Sequence, residues 1–107
     1  MLEFDPSMLE FDEYQMNQLK MTRSLADRLA SRAAMLFHRK LRPVYVGTVS
    51  LEIGVGLKRT MIIIDAMVRA GHLRRLQRKE LRAIDAPKGA FVYVLASERH
   101  IGWGYMP

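Results

Sequence analysis

His38, His72 and His100 are the side chains best suited to hold a metal ion or move a proton near neutral pH, and they lie far apart along the chain. No two of them stand at the three- or four-residue spacing that places paired ligands on one helical face. The chain has no cysteine, which excludes disulfides, thiolate catalysis and cysteine-ligated zinc. Gly54-Val-Gly56 lacks the further glycines and the lysine of a phosphate-cradling loop and suits a turn better. We therefore expect no enzyme, no metal and no cofactor. What remains is charge.

The 107 residues carry a net charge of +6, and it is unevenly spread. Residues 1–13 hold Glu3, Asp5, Glu10, Asp12 and Glu13 with no Lys or Arg, leaving 17 basic against 6 acidic residues in the remainder. From Lys58 to Lys88 the basic residues are Lys58, Arg59, Arg69, Arg74, Arg75, Arg78, Lys79, Arg82 and Lys88, opposed by Asp65, Glu80 and Asp85. Such a field attracts a polyanion, because each phosphate neutralised releases condensed counterions.

The elements that must position these charges follow from where the apolar residues fall. If Gly47 or Thr48 caps a short helix, Val49 and Ile53 share a face, Gly54 permits a left-handed turn and Val55 fills the corner. A second helix starts near Gly56 or Leu57. On a 3.6-residue period Leu57, Thr60, Ile64, Met67, Val68 and Gly71 lie on one side, with Lys58, Arg59, Ile62, Ala66 and Arg69 roughly opposite. This is the layout of a helix-turn-helix over 47–70. Ahead of it, Val44-Tyr-Val46 after Pro43 reads as an edge strand over 43–46. After it, 72–77 and 90–96 read as two strands of a wing, although Leu73, Leu76, Glu80 and Ile84 also suit a helix. The antiparallel return to Phe91-Val-Tyr-Val-Leu95 favours strand for 72–77, with 78–89 as a long basic loop turned by Pro87 and Gly89.

Pro43-Val-Tyr-Val46, the set Val49, Ile53, Gly54 and Val55, and Ala66-Met-Val-Arg-Ala-Gly-His-Leu-Arg-Arg-Leu76 resemble the winged-helix family of DNA-binding regulators over about half the chain. The resemblance implies an α+β winged helix-turn-helix. Lys58 and Arg59 would reach guanine edges or phosphates, Ile62 would lie against a thymine methyl, and Arg74, Arg75, Arg78, Lys79, Arg82 and Lys88 would contact phosphate or the minor groove. One departure stands out: Met61-Ile-Ile-Ile64 would leave Ile62, with Ile63, apolar and outward, and Asp65 would face phosphate. Outward isoleucines suit a protein contact, so a winged helix acting as an assembly module is the competing reading.

Residues 14–41 have a helical pattern, with Leu25, Leu29, Ala33, Leu36, Phe37 and Leu41 at three- and four-residue steps. Either one helix spans them, or Ser24-Leu-Ala-Asp27 caps a second helix and the chain breaks near 22–24. In both cases an N-terminal helical extension is surplus to the winged helix. Its Tyr14, Met16, Leu19 and Met21 would meet a second copy in a two-fold homodimer.

Ahead of that extension, Met1-Leu-Glu-Phe-Asp5 and Met8-Leu-Glu-Phe-Asp12 are identical. They are read either as a duplicated start or artefact outside the fold, or as a flexible acidic tail over 1–13 that folds back on the basic wing. Residues 97–107, with Trp103 and Tyr105 among glycines, form a C-terminal tail that caps the core or meets a partner. No apolar run reaches the length of a membrane span, and the acidic start is unlike a secretory leader. The expectation is a cytoplasmic, DNA-associated transcriptional regulator that binds double-stranded DNA sequence-specifically as a homodimer.

Overall fold

A computed structural model describes residues 4–98. In chain order they form α1 (Glu13–Leu19), α2 (Arg23–Lys40), β1 (Val44–Tyr45), α3 (Val46–Ile53), α4 (Leu57–Arg69), β2 (Leu73–Arg75), α5 (Arg78–Ala83) and β3 (Val92–Leu95). The result is a small α+β domain with a three-stranded antiparallel sheet in the order β1-β3-β2, an order compatible with a winged helix. The anticipated tail residues Trp103 and Tyr105, and His100, lie outside the described residues. Among the described residues no helix is long and apolar enough to cross a membrane.

The surplus helix is broken, two residues earlier than a cap at Ser24 requires. Lys20 takes a left-handed conformation (φ 55°), and the Thr22 hydroxyl accepts from the Leu25 N–H to start α2. Asp27 instead pairs with Arg23, one helical turn away at 2.7 Å. Along α2 the buried stripe is Ala26, Leu29, Ala30, Ala33, Ala34, Leu36 and Phe37. Its four alanines let neighbouring elements approach closely, while Leu41, expected on this face, is the exposed left-handed cap.

α3 starts at Val46, so neither Gly47 nor Thr48 is its cap, and it buries Val49 and Ile53. Gly54 makes the turn at φ 76°, a conformation an L side chain adopts only with strain. The turn is tied off by the Val55 carbonyl, which accepts from the Ser50 and Thr60 hydroxyls on either side of it. α4 then buries Thr60, Ile63, Ile64, Ala66 and Met67. It ends in a Schellman arrangement: the Gly71 N–H donates to the Val68 carbonyl and the His72 N–H to the Met67 carbonyl, with Gly71 at φ 81°.

Residues 78–89, expected as the open loop of a wing, are not an open loop. Strand pairing in β2 covers only Leu73–Arg75, and Gln77 then caps α5 in a capping box with Glu80. Both alternatives for this stretch hold in part, strand first and helix after. Alternation along β3 explains where α5 goes. Tyr93 and Leu95 join the main core with Leu73 and the helices, whereas Val92 and Val94 face a second cluster of Leu76 and Leu81, edged by Ile84, Ala86 and Ala90. α5 thus covers the face of the sheet turned away from α4, and β3 is buried on both sides.

The acidic N-terminal stretch, read as a flexible tail, packs on the domain over the described residues 4–12. Leu9 is buried, and Phe4 and Phe11 lie against the core. Arg23 donates to the Pro6 and Leu9 carbonyls, and Arg69 of α4 donates to the Glu10 carbonyl. The repeat's two aspartates do the same job: Asp5 caps the 3₁₀ turn Pro6–Met8 and Asp12 caps α1. These contacts lie along α2 and α4 rather than on the wing, because the repeat's apolar residues, not its charges, decide where it settles.

Candidate nucleic-acid interface

α4 begins with Lys58 exposed and Arg59 half-buried in its first turn, where four backbone N–H groups lack helical partners and the helix dipole favours anions. Among the described residues neither cation has an ion-pair partner. Thr60 points into the core as expected. The apolar stripe is rotated from the sequence reading: Ile63 and Ala66 are buried, Ile62 is half-buried at the rim of the core, and Leu57 is 55% exposed. Helix geometry therefore leaves Leu57, Lys58, Met61, Asp65 and Arg69 as the outer edge of α4, and Arg69 is occupied by the Glu10 carbonyl and Gln15. Ile63, one of the two isoleucines expected outward, is unavailable to any partner.

Arg74 and Arg75 sit on opposite faces of β2. Arg74 is held by both Glu80 carboxylate oxygens at 2.8 Å and donates to the Glu98 carbonyl at 2.9 Å; the Glu80 bonds push its pKa further above the usual guanidinium range. The guanidinium expected to contact phosphate is thus occupied within the protein, tying β2 to α5. Arg75 faces the α4 side. Its guanidinium lies 3.9 Å from the Phe91 ring centre and donates to the Gly89 and Ala90 carbonyls, so an exposed cation is held in a fixed place. On the neighbouring strand Tyr93 lies opposite Arg75 in the register. Burial raises the Tyr93 pKa, while Arg75 lowers it and Asp65 raises it.

Arg78, Lys79 and Arg82 are exposed on α5, and Lys88 is exposed in the turn before β3. The basic residues thus form two groups separated by the sheet: Lys58, Arg59 and Arg75 on the α4 side, and Arg78, Lys79 and Arg82 on the covering helix. Linear spacing could not reveal this division, because it follows from which face of β3 the short α5 covers.

The four residues expected at a dimer contact do not form a free surface. Leu19 is fully buried, Met16 and Met21 pack against the same core, and only Tyr14, 70% exposed, points to solvent. Close packing of α1 against α4 takes up their apolar area.

The fold also joins two side chains that the sequence kept apart. His38 Nε2 and His72 Nε2 are 3.3 Å apart, with ring centres 5.2 Å apart. Burial, then the neighbouring His38, lowers the His72 pKa, and Phe4 packs on its ring at 4.7 Å. Their 34-residue separation carries no helical or strand period that would have signalled the meeting.

No family model, curated protein or solved structure matches this chain. Its function has to be argued from its own geometry.

Proposed function

We propose that the chain is a winged-helix protein that binds double-stranded DNA and regulates transcription inside the cell, without catalysis or a cofactor. The observation that carries this is Lys58 at the exposed start of α4, without an ion-pair partner among the described residues and on the same side of the sheet as the stacked Arg75. The first turn of α4 enters the major groove, where Lys58 and Arg59 meet phosphate or guanine edges and the rim of Ile62 meets a thymine methyl. Arg75, fixed by Phe91, clamps an adjacent phosphate. Arg78, Lys79, Arg82 and Lys88 add attraction to flanking backbone. With few polar groups on α4, affinity comes chiefly from phosphate contacts, and sequence choice is modest. The two-fold homodimer of this reading needs a surface other than the buried α1 face.

Binding of the full chain to a labelled random-sequence duplex across a salt series tests this, with Lys58→Ala/Arg59→Ala beside the parent. Tight binding that weakens steeply with salt, and a shallower slope in the double variant, is the expected result. A parent that does not bind at low salt overturns it.

A second reading is supported by the apolar edge of α4 and α3: Leu57 is 55% and Leu51 86% exposed. On that reading these side chains meet a protein, and Leu51→Asp abolishes the contact while leaving DNA affinity unchanged.

A further inference from the structure

We propose that His38 and His72 together bind a divalent first-row transition-metal ion of the imidazole-seeking kind, such as Zn²⁺ or Ni²⁺. Both rings present Nε2 to one point. Zinc to imidazole bonds of about 2.0–2.1 Å at a tetrahedral angle place two nitrogens roughly 3.3–3.4 Å apart and, carried back along each bond, the ring centres roughly 5.2 Å apart. The pair shows 3.3 Å and 5.2 Å. Without an ion the two rings share an N–H···N contact at 3.3 Å whose donor depends on the tautomer; an ion would take the place of that proton.

The site is built from rigid parts. His38 stands in the last turn of α2, and His72 is the residue whose N–H closes the Schellman arrangement after α4. Phe4 holds the His72 ring from one side. Among the described residues no third His, Asp, Glu or Cys completes a larger cluster, so water would fill the other coordination positions and micromolar affinity is expected. An ion here links the end of α2 to the joint between α4 and β2 from which the wing hangs. This gives the protein a metal-dependent staple.

The test uses the full chain, stripped with a chelator and titrated with Zn²⁺ and with Ni²⁺ by calorimetry at pH 7.5. His38→Gln and His72→Gln are measured beside it, with circular dichroism as the check on folding. One ion per chain is expected, bound at least tenfold more weakly by each variant. Absence of binding by the parent up to 1 mM ion, or affinities unchanged in both variants, overturns the site. Should a variant fail to fold, histidine nitrogen NMR of the parent decides: Zn²⁺ must shift the Nε2 resonances of His38 and His72, and a titration that moves neither overturns it. None of these readouts involves DNA, so the site stands or falls separately from the proposed function.

Discussion

Arg74 and Glu80 form a two-bonded pair, Nη1 to Oε1 and Nη2 to Oε2, each at 2.8 Å, with both side chains largely shielded from water. Glu80 also accepts from the Gln77 N–H at the start of α5, and Arg74 donates to the Glu98 carbonyl beyond β3. Strand β2, the start of α5 and the chain after β3 are thereby tied to one guanidinium. A residue that counted as positive charge in the sequence is a structural tie.

Arg74→Ala should accordingly lower stability with little effect on DNA affinity. Losing charged hydrogen bonds of this kind costs about 2 kcal/mol, on the order of 10 °C in Tm for a domain this size. Thermal unfolding and duplex binding measured on the same sample separate the two roles. A wild-type Tm together with weakened DNA binding would return Arg74 to the interface.

Asp65 is exposed on the outer edge of α4, the helix proposed to enter DNA. Removing a like charge near phosphate is worth roughly 1 kcal/mol in water, so Asp65→Asn should tighten duplex binding by about fivefold at low salt. The gain should shrink as ionic strength rises. An unchanged Kd would mean that this edge of α4 does not approach the backbone.

Leu19 is fully buried within one chain, which makes Leu19→Ala a stability variant rather than an assembly variant. A loss of about 2–5 kcal/mol is expected from urea unfolding. Light scattering should give the same molar mass for parent and variant. A change of oligomeric state at preserved stability would contradict this placement.

At Gly54 an added Cβ meets no atom within 4 Å, yet φ is 76°. Gly54→Ala should therefore cost about 1–2 kcal/mol through backbone strain alone, and Gly54→Asn less, since Asn tolerates the left-handed region. The midpoints of denaturant unfolding report the order, and equal losses would remove strain as the cause.

Folding lowers the His72 pKa from its ordinary value of 6.5. The unfolded chain then takes up this proton first, so the contribution is complete above pH 6.5 and is lost as pH falls through that value towards the folded pKa. With chelator present, Tm should rise from pH 5 to 7.5, and His72→Phe should flatten the rise. Parallel Tm profiles in the two proteins would exclude His72 as the source.

Much of the fold was legible because local rules and global packing agree along the middle of the chain. Gly54 and Gly71 punctuate α4 where left-handed conformations are needed, Val49 and Ile53 repeat at helical spacing, and β-rich Val92–Leu95 has one compatible environment. Errors arose where a period was too short to fix a phase. Over the 13 residues of α4 a modest rotation moves Ile63 and Ala66 inward and Leu57 outward. After α4, Leu73 and Leu76 fit both a strand and a helix, and only the second face of β3 selects a helix from Arg78.

The sequence by itself determined the α+β class, the helix-turn-helix spacing and the positive charge of the body, since each depends on residue types a few positions apart. Tertiary structure decided what those residues touch. It turned Arg74 inward to Glu80, divided the remaining cations across the sheet, laid the acidic stretch along α2 and α4, and joined His38 to His72. Each of these depends on contacts between residues distant in the chain, and such contacts are set by which apolar faces bury one another rather than by any local period.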